Sequence, residues 1–385
     1  MERVDAGLEG IARKRLLIGT AAAICSFLVL CACAATGPEN VEKKAALRAP
    51  VRELQGNTGV IDVHNHLMGQ YGSPSGVQDD YEGAAQVALA TMEKLGITKM
   101  FIMPPPFTPA QSSRYTYEDL IGVVKRHSNR LAFLGGGGTL NVMIQQAVRD
   151  GRVSLELKGR FEKTALEVLS KGGIGFGEMT AEHLSFEVNH PYESAPPDHP
   201  LFLLLSEIAA RHGVPIDLHM EAVPEDMPLP EGRRLLSSHN PKVLRANVKA
   251  FERLLTHNRN ANIIWAHVGW CNTGYRTPGL CAELLERHRN LYMSFKIRPD
   301  SMAETRPLRG GGLEIKPEWL SLIRAYPERF FIGTDQFYTT PRADRPIKPP
   351  GRAEEGTYRL LTLLPPDLAR KVGYENAMAV FRLKS

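Results

Sequence analysis

"VIDVHNHLMGQ", residues 60–70, is an apolar run that closes on two imidazoles, His64 and His66, one residue apart. Read as a β-strand, it sends alternate side chains to opposite faces, so Asp62, His64 and His66 share one face. Two histidines converging at a strand end can grip a metal ion. His-x-His also arises by chance, so the rest of the chain decides between a ligand pair and coincidence.

The same kind of run recurs along the chain. "ITKMFIM" (97–103), "RLAFLG" (130–135), "GGIGFGE" (172–178), "GVPIDLH" (213–219), "ANIIWAH" (261–267), "NLYMSF" (290–295) and "RFFIGTD" (329–335) join "GVIDVH" (59–64) to make eight. Between most of them lie helical patterns, such as 81–96, 161–173, 199–213 and 241–258, several closing on glycine after a basic residue. Short apolar strands alternating with helices imply parallel β-α units buried on both faces. Eight such units predict an α/β chain closed as a (β/α)8 TIM barrel over residues 58–385. An open doubly wound sheet is the alternative, and it loses ground because no glycine-rich phosphate turn follows the first run. The glycines of "FLGGGGTL" (133–140) lack a following Lys-Ser/Thr and read as a flexible loop.

Placed on these strands, the donors line up. The first run ends in His64-x-His66, the fourth in Glu178, the fifth in His219, the sixth in His267 and the eighth in Asp335. All fall at carboxyl ends of strands, the end where β/α barrels keep their active sites. Neutral imidazole and carboxylate suit a borderline divalent ion, zinc first, with manganese or iron tolerated.

This order of His-x-His, His, His and Asp resembles the amidohydrolase superfamily. The wording is most similar to the branch that also contains the aminocarboxymuconate-semialdehyde and resorcylate decarboxylases and the pyrone-dicarboxylate lactonases. The closing "GYENAMAVFRL" (373–383), with Asn376-Ala377 opening a last helix that carries Phe381, is similar to that branch's final segment, and the resemblance covers residues 58–383. It implies that His64, His66 and Asp335 hold one metal, and that His219 and His267 hold a second or act on the substrate. It further implies that Asp335 moves a proton from the attacking water to the leaving group. Glu178 stands where two-metal members place a bridging carboxylate; its other reading is a helix N-terminal glutamate or a salt-bridge partner.

Further candidates rest on position alone. Lys296 and Arg298, ending the seventh run, can bind a substrate carboxylate or merely pair with neighbouring acids. Glu221, two residues past His219, reads as a ligand-orienting acid or a solvated loop carboxylate. His183, in the loop after the fourth run, can reach the site or be a loop histidine with no role there. His127, His190, His199, His212, His239, His257 and His288 read as structural or solvated, and Trp265 and Trp270 as packing and rim.

Composition bounds the rest. The chain has 385 residues, 43% hydrophobic and 23% charged, with a net charge of +5 too small and scattered for nucleic acid. Arg13-Lys14-Arg15 precedes a fifteen-residue apolar run, too short for a membrane span, and the exit Leu30-Cys31-Ala32-Cys33 resembles a bacterial lipoprotein box. The expected organisation is a signal peptide over 1–32, a tether over 33–57 lipidated at Cys33, and the barrel. A membrane partner through the lipid and an outer-membrane address facing the periplasm follow from it. Of five cysteines only Cys271 and Cys281 fall in the folded part, where a disulfide is compatible with that compartment.

Three functions stand. The first is a metal-dependent hydrolase cleaving a small amide, ester or lactone with one or two divalent ions. The second is a metal-dependent, non-oxidative decarboxylase of an unsaturated or aromatic acid. The third is an inactive binding lipoprotein, which the complete ligand set opposes. A homo-oligomer is compatible with each, and the substrate is set by loops such as 179–198 and 220–241, which carry no motif.

Overall fold

Each of the eight apolar runs contains a strand in the computed structural model, which describes residues 59–111, 115–186, 190–231, 237–344 and 352–384. These belong to one unit, residues 42–385. The expected signal peptide, Cys33 and the tether lie outside the described residues. In chain order the strands are β1 (Val60–Met68), β2 (Ile97–Ile102), β3 (Leu131–Phe133), β4 (Gly135–Gly136), β5 (Phe176–His183), β6 (Ile216–Met220), β7 (Ile263–Val268), β8 (Leu291–Phe295), β9 (Phe330–Ile332) and β10 (Gln336–Thr339).

The fold is α/β, with a parallel sheet running β3-β2-β1-β9-β8-β7-β6-β5-β4 and β10 also pairing with β1. Its two end strands, β3 and β4, are separated by Leu134 alone. That residue donates its N–H to Ile102 O at 3.0 Å on the β2 side, and the next, Gly135, donates to Gly175 O at 3.2 Å on the β5 side. Every residue of β5, β6 and β7 is buried, as expected of parallel strands covered on both faces.

The helices follow local sequence signals. Helix α1 (Tyr81–Leu95) starts where the Asp80 side chain accepts the Gly83 N–H at 2.9 Å and stops at Gly96, whose φ is 72°. The others flanking the sheet are α2 (Tyr117–Arg126), α3 (Leu140–Asp150), α4 (Leu155–Ser170), α5 (Pro200–His212), α6 (Val248–His257), α7 (Pro278–Arg287), α8 (Pro317–Ala325) and α9 (Arg352–Leu363). The helix expected over 241–258 starts only at Val248. Val243–Leu244 instead pairs with Met227–Pro228, and Asn247 clamps the loop before it, accepting Val223 N–H at 2.9 Å and donating to Glu221 O at 2.8 Å. No described helix is long and apolar enough to cross a membrane.

One expectation needs correction here, and one open question is answered. "FLGGGGTL" is not a flexible loop: it holds the last residue of β3 and all of β4, and a Cβ on Gly137 would fall 2.2 Å from Pro104 O, one on Gly138 2.0 Å from Tyr115 O. Those glycines permit close backbone approach. Cys271 and Cys281 form no disulfide; both are buried thiols, and Cys271 Sγ lies 3.3 Å from Glu221 Oε2.

Candidate metal centre

The site assembles around Glu178. This glutamate is the third residue of β5, which continues to His183 rather than ending at the carboxylate. Oε1 lies 2.8 Å from His219 Nδ1 and 3.1 Å from His267 Nε2; Oε2 lies 3.4 Å from both His64 Nε2 and His66 Nε2. One carboxylate thus stands between two histidine pairs, one from β1 and one from β6 and β7. Asp335, between β9 and β10, brings Oδ1 to 3.1 Å from His66 Nε2 and 4.0 Å from His64 Nε2. All six residues named as ligands from the sequence meet at this point.

The backbone is bent to make the meeting. Among the described residues only His267 (φ 66°), Asp335 (φ 52°) and Arg382 (φ 51°) are non-glycine residues in the left-handed region. That conformation costs roughly 1 kcal/mol or more per residue and marks a position held for its side chain. Asp62, predicted to share the histidine face, instead anchors the turn that carries Asp335. It accepts the Thr334 N–H at 3.1 Å, the Thr334 hydroxyl at 2.7 Å and the Tyr358 hydroxyl at 2.6 Å.

The donor set fits a divalent cation. His66 Nδ1 donates to the Met103 carbonyl at 2.8 Å, which turns Nε2 toward carboxylate oxygens of Asp335 and Glu178. A ring nitrogen set against a carboxylate needs a positive centre between them, a proton or a metal ion. His64 is arranged alike, its Nδ1 3.0 Å from Asp217 Oδ1 and its Nε2 turned to Glu178. Burial opposes a charge on His64, yet the Asp217 and Glu178 carboxylates outweigh it and hold the imidazole well above its ordinary value. Without metal the site therefore retains a proton. Burial likewise works against ionised Glu178, but His64 and the hydrogen bonds from His219 and His267 keep its carboxyl well below the usual range. His64, Glu178, His267 and Asp335 each offer one donor atom, all within 4.8 Å of one another. A zinc-type ion with four tetrahedral ligands at about 2.1 Å needs donors about 3.4 Å apart, so these four would draw inward to hold it.

The remaining candidates divide. Lys296 is buried with its ammonium on Asp335 Oδ2 and 3.6 Å from the Trp270 ring centre, so Trp270 braces the site rather than forming its rim. Arg298 stays outside the cluster, its Nε donating to Asp300 at 2.9 Å. Glu221 is not a solvated loop carboxylate. It is fully buried, accepts the Asn272 backbone N–H at 3.0 Å and the Asn272 side-chain amide, and so ties the 271–273 turn beside Trp270. His183 packs with its ring centre 4.3 Å from that of His219, and burial followed by the His219 charge holds it well below its ordinary value. His190 packs against His183 with ring centres 4.6 Å apart and the planes tilted by 58°. His127 pairs with Glu82, His257 with Glu207 and His288 with Glu252.

Asp217 escaped the sequence reading. Its signal was present, since Asp217-x-His219 repeats the alternation that puts His64 and His66 on one face. Lys296 was named for a substrate carboxylate or a neighbouring acid, and the acid it meets is Asp335.

Comparison with known proteins follows this geometry. The amidohydrolase family model matches residues 171–383, more than half of the chain. No curated protein matches. Among solved structures, the chain is similar to dihydroxybenzoic acid decarboxylase from Polaromonas sp. JS666, with bound manganese and 2-nitroresorcinol, at 14% identity and a TM-score of 0.43, over 84% of this chain and 97% of that one. It is also similar to dihydroorotase from Campylobacter jejuni, at 13% identity and a TM-score of 0.45, over 85% of this chain and 84% of that one. On the family match, the chain belongs to the amidohydrolase family.

Proposed function

We propose that this protein is a metal-dependent hydrolase that cleaves a small amide, ester or lactone. Its strands are read as a closed (β/α)8 barrel, because the two ends of the sheet path are one continuous stretch of chain broken only at Leu134. The observation that carries the reading is the position of Glu178, one oxygen to each histidine pair, which is how a carboxylate bridges two ions. Divalent ions held there polarise a carbonyl and make water acidic enough to attack near neutral pH.

The chain's own groups then have separate tasks. Asp217 and the Met103 carbonyl fix the rings of His64 and His66 so that both present Nε2. Asp335 is the group placed to take a proton from the attacking water and return it to the leaving group. Lys296 holds that carboxylate in place, and Trp270 packs over the ammonium. Zinc suits the imidazole and carboxylate donors, with manganese or iron as alternatives. A panel of lactones, esters and amides, assayed with metal-loaded and chelated protein, tests the reading; turnover of none of them opposes it.

One observation favours a second reading. Lys296 already occupies one oxygen of Asp335, and the remaining close donors, His64, Glu178, His267 and Asp335, suffice for a single ion. With one ion, His219 is free to act on substrate, and a non-oxidative decarboxylase becomes the better account. Release of carbon dioxide without net uptake of water distinguishes it. The cellular address is likewise a proposal: Cys33 is the lipidated residue, and a Cys33→Ala precursor should accumulate unprocessed and unacylated.

A further inference from the structure

A second feature of the molecule lies where β8 runs on into residues 297–316. Here the chain walls a cavity of about 850 Å3, and none of the six metal-site donors lines it. Its cationic side chains are Arg298, Arg306, Arg309, Lys316 and Arg359, against the carboxylates of Asp300 and Glu355 alone.

The way these cations are held decides what the cavity wants. Arg298 is matched by Asp300 at 2.9 Å, and Arg309 by Glu314 at 3.0 Å. The other three rest on neutral carbonyls. Arg306 donates to Pro299 O at 3.2 Å, Lys316 to Ala303 O at 2.6 Å, and Arg359 to Gly311 O and Gly312 O at 3.4 Å each. A carbonyl positions a cation without cancelling its charge, and each of these groups has further N–H donors than those bonds use. Burial pulls the Arg359 guanidinium below its ordinary value, with only Glu355 working the other way. The cavity therefore keeps a surplus of positive charge in partly desolvated surroundings, where an anion is attracted more strongly than in bulk water.

Shape adds to charge. Gly310, Gly311 and Gly312 follow one another in the left-handed region, with φ of 59°, 69° and 88°, and a Cβ on Gly310 or Gly311 would meet nothing within 4 Å. That wall is thus free of side chains, while Ile297, Pro299 and Leu308 supply an apolar one. The volume falls within the range of small-molecule sites.

We propose that this cavity binds a small molecule bearing an oxyanion, a carboxylate or a phosphate, on a short apolar body, at a site distinct from the metal centre. The guanidiniums of Arg306 and Arg359 take the oxyanion, a geometry for which the planar fork is suited, and Lys316 adds a point charge.

The test is calorimetric titration of the full chain with inorganic phosphate and, separately, with benzoate, using benzyl alcohol as the uncharged control. We expect at least one anion to bind with Kd below about 1 mM and the alcohol not to bind. Benzoate alone assigns a carboxylate on an apolar body, phosphate alone a phosphate. The double variant Arg306→Gln, Lys316→Gln should weaken binding at least about tenfold, and the charge-keeping exchange Arg306→Lys, Lys316→Arg, which keeps one guanidinium and one ammonium, should weaken it less. Binding should also survive removal of metal by chelation. The proposal is overturned if neither anion binds at 10 mM (about 2.7 kcal/mol), if the Gln variant binds like wild type, if both doubles lose binding alike, or if chelation abolishes it, which would place the anion on the metal.

Discussion

Glu178 Oε1 lies 2.8 Å from His219 Nδ1, while its other oxygen faces the pair His64 and His66. A buried carboxylate surrounded by four imidazoles has no use as a packing element, since burial alone opposes its charge. It is explained by positive charge brought in among the rings.

The ring behind a ligand matters as much as the ligand. Asp217 Oδ1 sits 3.0 Å from His64 Nδ1 and sets which nitrogen faces the cluster. Asp217→Asn should keep the fold and lower metal affinity by about 10–100-fold, read by competition with a chelating dye. An unchanged affinity would remove Asp217 from the site's function.

Lys296 provides the site's own fixed cation. Removing it leaves Asp335 buried against an uncompensated environment, a loss worth about 3 kcal/mol in comparable buried pairs. Lys296→Met should therefore melt well below wild type in the presence of chelator. With saturating zinc the gap should narrow, because the ion replaces the missing positive charge. A gap of equal size under both conditions would mean that Lys296 serves packing alone.

Two acids outside the cluster predict how stability follows pH. Burial pushes the Glu193 carboxyl up to about 8 against the opposing Asn141 amide at 2.7 Å, and burial pushes Glu182 up to about 7 against Tyr192 and Ser194. The folded state thus binds these protons more tightly than the unfolded chain, whose glutamates titrate near 4.5. The protonated forms contribute fully below that value, and their contribution is lost as pH rises through about 7 to 8. The urea midpoint should fall between pH 5 and pH 8, and Glu193→Gln should flatten the fall. The same slope in variant and wild type would assign it to other groups.

How far the sequence could be read depends on the kind of signal. Strand-end donors were legible because parallel strands repeat one geometry, so His64, His66, Glu178, His219, His267 and Asp335 announce themselves by corresponding positions. Glu221 was misread because a carboxylate just past a strand looks the same whether it faces water or, as here, the Asn272 N–H and amide of another loop. "FLGGGGTL" misled for a related reason. Glycine marks freedom and close approach alike, and only the neighbouring Pro104 and Tyr115 carbonyls tell them apart. Lys296 could be placed near the mouth, but its partner depends on the Asp335 turn, which Asp62 fixes from 272 positions away in the chain.

The arrangement around Glu178 is tested most directly by counting divalent ions per chain by elemental analysis, in the wild type and in Glu178→Gln, after loading and removal of free metal. The account predicts up to two ions in the wild type and the loss of one, together with hydrolytic activity, in the variant. One ion in the wild type, unchanged by the substitution, would contradict it.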